Sequence, residues 1–182
     1  MARDLKEVAL LSKDPETDAF LTEFQRESDR AAAVLGATML DELLKELIGA
    51  RLVSKRLADK LLGRMMPLST FSSRITIAEA IGLISAEEAK DLHCLRDIRN
   101  DFAHGLHGLS FEDQSVKDRC ANLYGPKHTF AAERNKRFRE VYPKTTRALF
   151  NLGVAMSMVQ LRTRIEASTK IKAAAYPTVG AA

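Results

Sequence analysis

The chain has 182 residues, 46% hydrophobic and 29% charged, a balance that suits one globular domain with a sizeable core and excludes a disordered chain or a collagen-like repeat. Only two cysteines are present, Cys94 and Cys120, which excludes a disulfide framework and points to a reducing compartment. Residues 148–161 form the longest largely apolar run, too short to span a bilayer and interrupted by Asn151, Ser157 and Gln160; with the charged start Met1-Ala2-Arg3-Asp4, this predicts a cytoplasmic protein without membrane contact.

The formal net charge of +4 hides an asymmetry. Residues 127–172 hold 11 Lys/Arg against 3 Asp/Glu, and the remainder holds 17 against 21. A basic C-terminal third suits a polyanionic partner, with Arg134, Lys136, Arg137 and Arg139 as candidate nucleic-acid-binding residues. A solvated helix face would carry the same charges.

In chain order, residues 3–12 read as a short amphipathic helix, broken at Pro15. Over 17–53, Phe20, Phe24, Ala31, Leu35, Met39, Leu43 and Leu47 recur at steps of three and four, as one long helix or two with a bend. Gly36 and Gly49 interrupt it, each costing about 1 kcal/mol relative to Ala. Residues 55–62 follow as a short helix ending at Gly63, then a loop at 67–70 and a helix over 71–83 carrying Ile75, Ala78 and Ile81. Ser85-Ala86-Glu87-Glu88 is a capping-box pattern opening a helix that Gly105 ends. Ser110 is the next N-cap, for a helix to about Leu123 with Val116 and Cys120 inward. Gly125-Pro126 reads as a break, with a short basic helix over 129–139 after it. Pro143 opens the last helix, to about Ala167, through Ala148, Leu149, Leu152, Met156, Val159 and Leu161. Residues 171–182 read as a disordered tail. No period-2 strand and no internal repeat is evident. The expected architecture is all-α: a single domain over 1–170, a bundle of about seven or eight helices.

Function is most legible in the helix that closes on Arg96-Asp97-Ile98-Arg99-Asn100-Asp101-Phe102-Ala103-His104-Gly105. With Leu92 at 0° and about 100° per residue, Leu95 falls near 300°, Phe102 near 280° and Ala103 near 20°, with Arg99 at about 340° among them. A cation on an apolar stripe needs a partner or an anion, because a guanidinium does not shed its charge. A second stripe carries His93, Arg96, Asn100 and His104. The structural alternative pairs Arg99 with Asp41, Glu42 or Glu46 and leaves His104 as a cation on the helix dipole.

Other chemistries find less support. Ala78 and Gly82 have the spacing of a helix-turn-helix, but Glu88 stands where an apolar residue belongs, and Glu87, Glu88 and Asp91 would meet phosphates. His104-x-x-His107, with His93, Cys94 and Cys120, matches no recognised metal-ligand spacing, so neither a metal nor a cofactor is expected. Asp97 and Asp101 read as solvated rather than as catalytic carboxylates.

Arg99-Asn100-x-x-x-His104 near a helix end in an all-α chain resembles the HEPN superfamily motif. More widely, Leu68-Ser69-Thr70-Phe71-Ser72-Ser73-Arg74, Gly82-Leu83-Ile84, Leu95-Arg96-Asp97-Ile98-Arg99-Asn100, Phe102-Ala103-His104 and Ser110-Phe111 resemble the mannitol operon repressor family, roughly over residues 30–165. That resemblance implies an all-helical negative regulator of gene expression without a DNA-reading motif, working through a protein partner or through nucleic acid held by Arg96 and the basic C-terminal residues. The HEPN likeness implies the alternative, a metal-independent endoribonuclease usually built from two paired protomers. Its chemistry would be attack by a 2′-OH on the neighbouring phosphate, with His104 as base or acid, Arg99 stabilising the phosphorane and Asn100 orienting either. Five residues along a helix turn the chain by about 500°, so Arg99 and His104 point about 140° apart unless the last turn unwinds or two protomers complete the site. A homodimer is expected under both readings, with the motif-bearing helix at or near its interface.

Overall fold

The computed structural model describes residues 15–105, 108–131 and 143–174. Within them lie eight helices and no strand: α1 (Pro15–Phe24), α2 (Asp29–Arg51), α3 (Lys55–Leu62), α4 (Phe71–Ala80), α5 (Ala86–His104), α6 (Gln114–Ala121), α7 (Tyr124–Ala131) and α8 (Thr146–Glu166). The expected helix over 3–12, most of the basic helix over 129–139 and the end of the tail fall outside the described residues.

The long apolar pattern over 17–53 resolves into two helices. Ser28 caps α2, its hydroxyl accepting from Ala31 N at 3.3 Å. Arg147 of α8 reaches into the break and donates to the carbonyls of Phe24 and Glu27, so the interrupted turn keeps partners. Helix α3 starts at Ser54 and stops at Gly63, as its sequence requires. Helix α4 ends three residues before the expected 83. Gly82, at φ +71°, reverses the chain, and Leu83 N donates to Ala78 O at 2.8 Å while Gly82 N donates to Glu79 O at 3.0 Å, the paired bonds of a Schellman stop. The capping box of α5 forms in full, with Glu88 N on Ser85 Oγ at 3.2 Å and Ser85 N on Glu88 Oε2 at 2.7 Å.

Three further expected boundaries move. Ser110 does not cap α6: its N–H and hydroxyl both donate to Asp113 Oδ2, making a turn of 110–113 and placing Asp113 at the N-cap. Gly125-Pro126 is no break but part of the first turn of α7, where a proline lacks only an N–H that the helix does not use. Helix α8 begins at Thr146 rather than at Pro143, because Thr145 Oγ1 accepts from Ala148 N.

Helices α2, α5 and α8 form the centre. Helix α5 packs against α2, α4, α6, α7 and α8. The core includes Leu40, Leu44 and Leu47 of α2, Ile75 of α4, Leu92, Leu95, Ile98 and Phe102 of α5, and Phe150, Val154 and Met158 of α8. Phe111 bridges Phe102 and Phe150, with ring centroids 5.0 Å from each. Two glycines let the helices close up. A Cβ on Gly36 would stand 3.0 Å from Val154, and one on Gly153 would stand 2.8 Å from Leu123, so the helix-propensity cost of Gly36 secures the α2–α8 contact.

Candidate functional site

The regular ladder of α5 runs to its end, where Gly105 N donates to Asp101 O at 2.8 Å. Arg30, in the first turns of α2, donates to the Gly105 carbonyl and fixes that end from outside. The exposed His104 borders a hollow of about 400 Å³ shared with Asp101, Gly108, Leu109 and Asp113. Ser110 donates to Asp113 and holds its carboxyl below the usual range, and Asp101 is paired with Arg119 at 2.6 Å. The hollow thus carries two carboxylates, one of them paired with Arg119.

Arg99 does not sit at the middle of the apolar stripe. Over the last turns of α5 the buried residues are Leu95, Ile98 and Phe102, centred at about 275° on the wheel used above, so Arg99 at about 340° and the exposed Ala103 at about 20° lie to one side. Arg99 is half-buried and donates to Asn100 Oδ1 at 2.9 Å. The expected pairing with Asp41, Glu42 or Glu46 does not form: Asp41 is bound by Arg74 and Glu42 by Lys45, and no described ion pair joins Arg99 to Glu46. Arg99 and Asn100 thus meet, whereas His104 lies on another side of an unbroken helix. One chain does not bring the three together.

Arg96 is engaged inside the fold. It donates to Asp97 Oδ1 at 2.7 Å and to Ser72 Oγ of α4 at 2.5 Å, and lies 3.0 Å from His93 Nδ1. Burial first, then the Arg96 cation, push His93 below its ordinary value. Asp97 and Asp101, expected to be solvated, are each in a partly exposed ion pair. Arg134, Lys136, Arg137 and Arg139 lie outside the described residues, as does His107.

The buried cation that sequence reasoning sought on α5 is instead Arg74 of α4. It binds Asp41 at 2.6 Å and donates to the carbonyls of Leu68, Leu62 and Ser69, organising the whole α3–α4 connection. Burial raises the Asp41 carboxyl despite this contact, so desolvation outweighs the Arg74 hydrogen bond and charge there. The available signal was an arginine four residues before Ala78, on the apolar face of its helix. Two acidic residues of α5 are likewise internal. Asp91 accepts from the N–H groups of Tyr124 and Gly125, at 2.7 and 2.8 Å, and caps α7. Glu88 binds Arg164 of α8 at 2.6 Å. With α5 enclosed by five helices and its acidic turn tied inward, the Gly82 turn does not present a DNA-reading helix.

These features define an all-α bundle around a central helix, with no described helix long and apolar enough to cross a membrane and no described group of three or more His, Cys, Asp or Glu placed to hold a metal ion. The fold is similar to that of a chain in the X-ray structure of the MtlR–HPr complex from Escherichia coli, with a TM-score of 0.62 and 18% identity, covering 80% of this chain and 97% of that one. No protein-family model matches the sequence. No curated protein matches it either. The resemblance to mannitol operon repressors carried by the motifs between Leu68 and Phe111 is thus met at the level of fold.

Proposed function

We propose that this chain is a negative regulator of gene expression that acts by binding a protein partner, HPr or a protein like it, rather than by reading DNA with a helix. The observation that carries the reading is the fold shared with 97% of a chain from the MtlR–HPr complex. The enclosure of α5, with Glu88 of its first turn tied to Arg164, supports it, since that disfavours a DNA-reading helix after the Gly82 turn. Nucleic acid held by Arg96, Arg134, Lys136, Arg137 and Arg139 is an alternative route to the same regulation, and a homodimer belongs to the proposal by either route. Titration calorimetry of the purified chain with HPr of the same organism tests it. Saturable binding with a Kd of about 10 µM or tighter is expected, unchanged within about twofold by His104→Ala. Absence of heat and of co-elution at 100-fold higher concentration overturns it.

One observation favours a second reading: Arg99 is half-buried without a carboxylate partner among the described residues. Metal-independent RNA cleavage would use it with Asn100 and a His104 from a second protomer. RNA incubated in EDTA with wild type and His104→Ala separates the two readings. Cleavage by wild type alone, leaving 2′,3′-cyclic phosphate ends, would establish the nuclease; intact RNA leaves the regulator.

A further inference from the structure

Of the eight exposed large hydrophobic side chains among the described residues, four (Val53, Leu57, Met65 and Met66) fall on α3 and the turns that flank it. Met65 is the extreme case. It is 91% exposed and has φ +61°, the left-handed conformation that ordinarily goes to glycine or asparagine. Met66 N donates to Gly63 O at 3.2 Å, closing a turn that holds Met65 at its tip. The chain therefore accepts backbone strain to hold an apolar side chain in water. Arg64 stands next to Met65 in the turn, and Arg56 and Lys60 lie on α3; all three are exposed, and none is in a described ion pair.

Beside the knob lies its complement. A hollow of about 480 Å³ between α2 and α3 has Ala58 and Leu62 in its wall and Glu42, Glu46 and Asp59 around it, with Lys45 bound to Glu42 at 3.1 Å. Three carboxylates against one already paired ammonium leave the hollow acidic. At 91% exposure, Met65 does not fill the hollow of its own chain.

We propose that knob and hollow are the two halves of an isologous homodimer contact. The Arg64–Met65 turn of one protomer enters the Glu42/Glu46/Asp59 hollow of its partner, and the partner reciprocates. Charge selects the occupant: an apolar tip with the Arg64 cation beside it fits an acidic rim around an apolar wall. Position selects a second copy of this chain, because a single two-fold axis near Gly63, which lines the hollow and precedes the knob, pairs both halves at once. This surface lies far from the motif-bearing end of α5. Arg30 meets Gly105, whereas Glu46 is 16 residues further along α2, about 24 Å at about 1.5 Å per residue. Such a dimer holds the two His104 side chains at its far ends and does not assemble the composite nuclease. The proposal is independent of HPr binding.

Sedimentation velocity of the full chain between 1 and 100 µM tests it, with thermal unfolding as a control for folding. Wild type is expected to dimerise. Met65→Gly removes the anchor and relieves the left-handed strain, so the dimer dissociation constant rises roughly tenfold or more while the monomer melts no lower. Arg64→Glu and Glu46→Lys are each monomeric alone, and their equimolar mixture re-forms a dimer, because one contact in the mixed species is wild type and the other is charge-reversed on both sides. A monomeric wild type at 100 µM, a dimer indifferent to Met65→Gly, or a mixture that stays monomeric overturns the proposal.

Discussion

Arg74 and Asp41 form the pair on which the α3–α4 connection depends, and their roles are unequal. Asp41→Asn leaves Arg74 its three carbonyl acceptors and is expected to cost about 1–2 kcal/mol. Arg74→Met strips donors from those carbonyls and from Asp41 together, so a loss of about 3–5 kcal/mol is expected; urea unfolding of both variants orders them, and the reverse order would refute the account. His93 supplies the pH dependence. Burial and Arg96 hold its folded value below the ordinary 6.5, so the unfolded chain takes up a proton that the folded chain resists. The stability present at neutral pH is therefore lost as pH falls from 6.5 through the lower folded value. His93→Gln, which keeps an acceptor for Arg96, is expected to flatten the Tm profile between about pH 7 and 5. At this scale sequence and structure part most. A wheel drawn from Leu92, Leu95, Phe102 and Ala103 placed Arg99 at the centre of a stripe, but Ala103 is exposed and Ile98 is buried, which moves the centre by about 40° away from Arg99. Small apolar residues report burial weakly, and one of them misplaced the cation.

Several helix ends marked by local chemistry were legible, although the caps at Asp113 and Thr145 were not. Ser85 with Glu88, Gly63, and Gly105 all act within a few residues of themselves, and each is where its pattern puts it. Ends set by distant partners were not. The split of the long pattern before Ser28 depends on Arg147, 120 residues from Glu27, and the start of α7 depends on Asp91, 33 residues from Tyr124. Asp91 is buried, and burial raises its carboxyl even though two backbone N–H groups pull the other way. Asp91→Ala leaves both N–H groups without their partner and is expected to cost about 1–2 kcal/mol. The loss should fall first on α7, seen as faster amide exchange at Lys127, whose N–H bonds Leu123 O at 3.3 Å. Asp91→Asn keeps one acceptor and sheds the charge, so less than half that loss is expected. Equal losses for the two variants would mean that packing, not the cap, places α7.

Across the whole molecule, the basic C-terminal third is less of an open surface than its charge count implies, because it contains the helix that completes the core. Arg147 is bound to Asp29 at 2.9 Å and lies over the rings of Phe24 and Phe111, while Arg164 is bound to Glu88. Both charges tie α8 to the first half of the chain. Helix α8 also supplies Phe150, Leu152, Val154, Met158 and Leu161 to the core. At about 1.5–3 kcal/mol for each buried side chain, these five match the whole net stability of a typical domain, about 5–15 kcal/mol. The contacts of α2 with α8 join residues more than a hundred positions apart, so the bundle has no complete core until the C-terminal third is in place. A chain ending at residue 142 is therefore expected to show no cooperative thermal transition, although α2 and α5 keep their caps. A chain ending at Glu166 loses the bond from Ile171 N to Arg51 O and the bonds from Arg51 to Thr169, and should melt cooperatively within a few degrees of the full chain. Calorimetry of the two truncations decides the matter. A sharp transition in the shorter chain would mean that residues before 143 fold as a unit of their own, and that α8 docks on a finished domain rather than completing one.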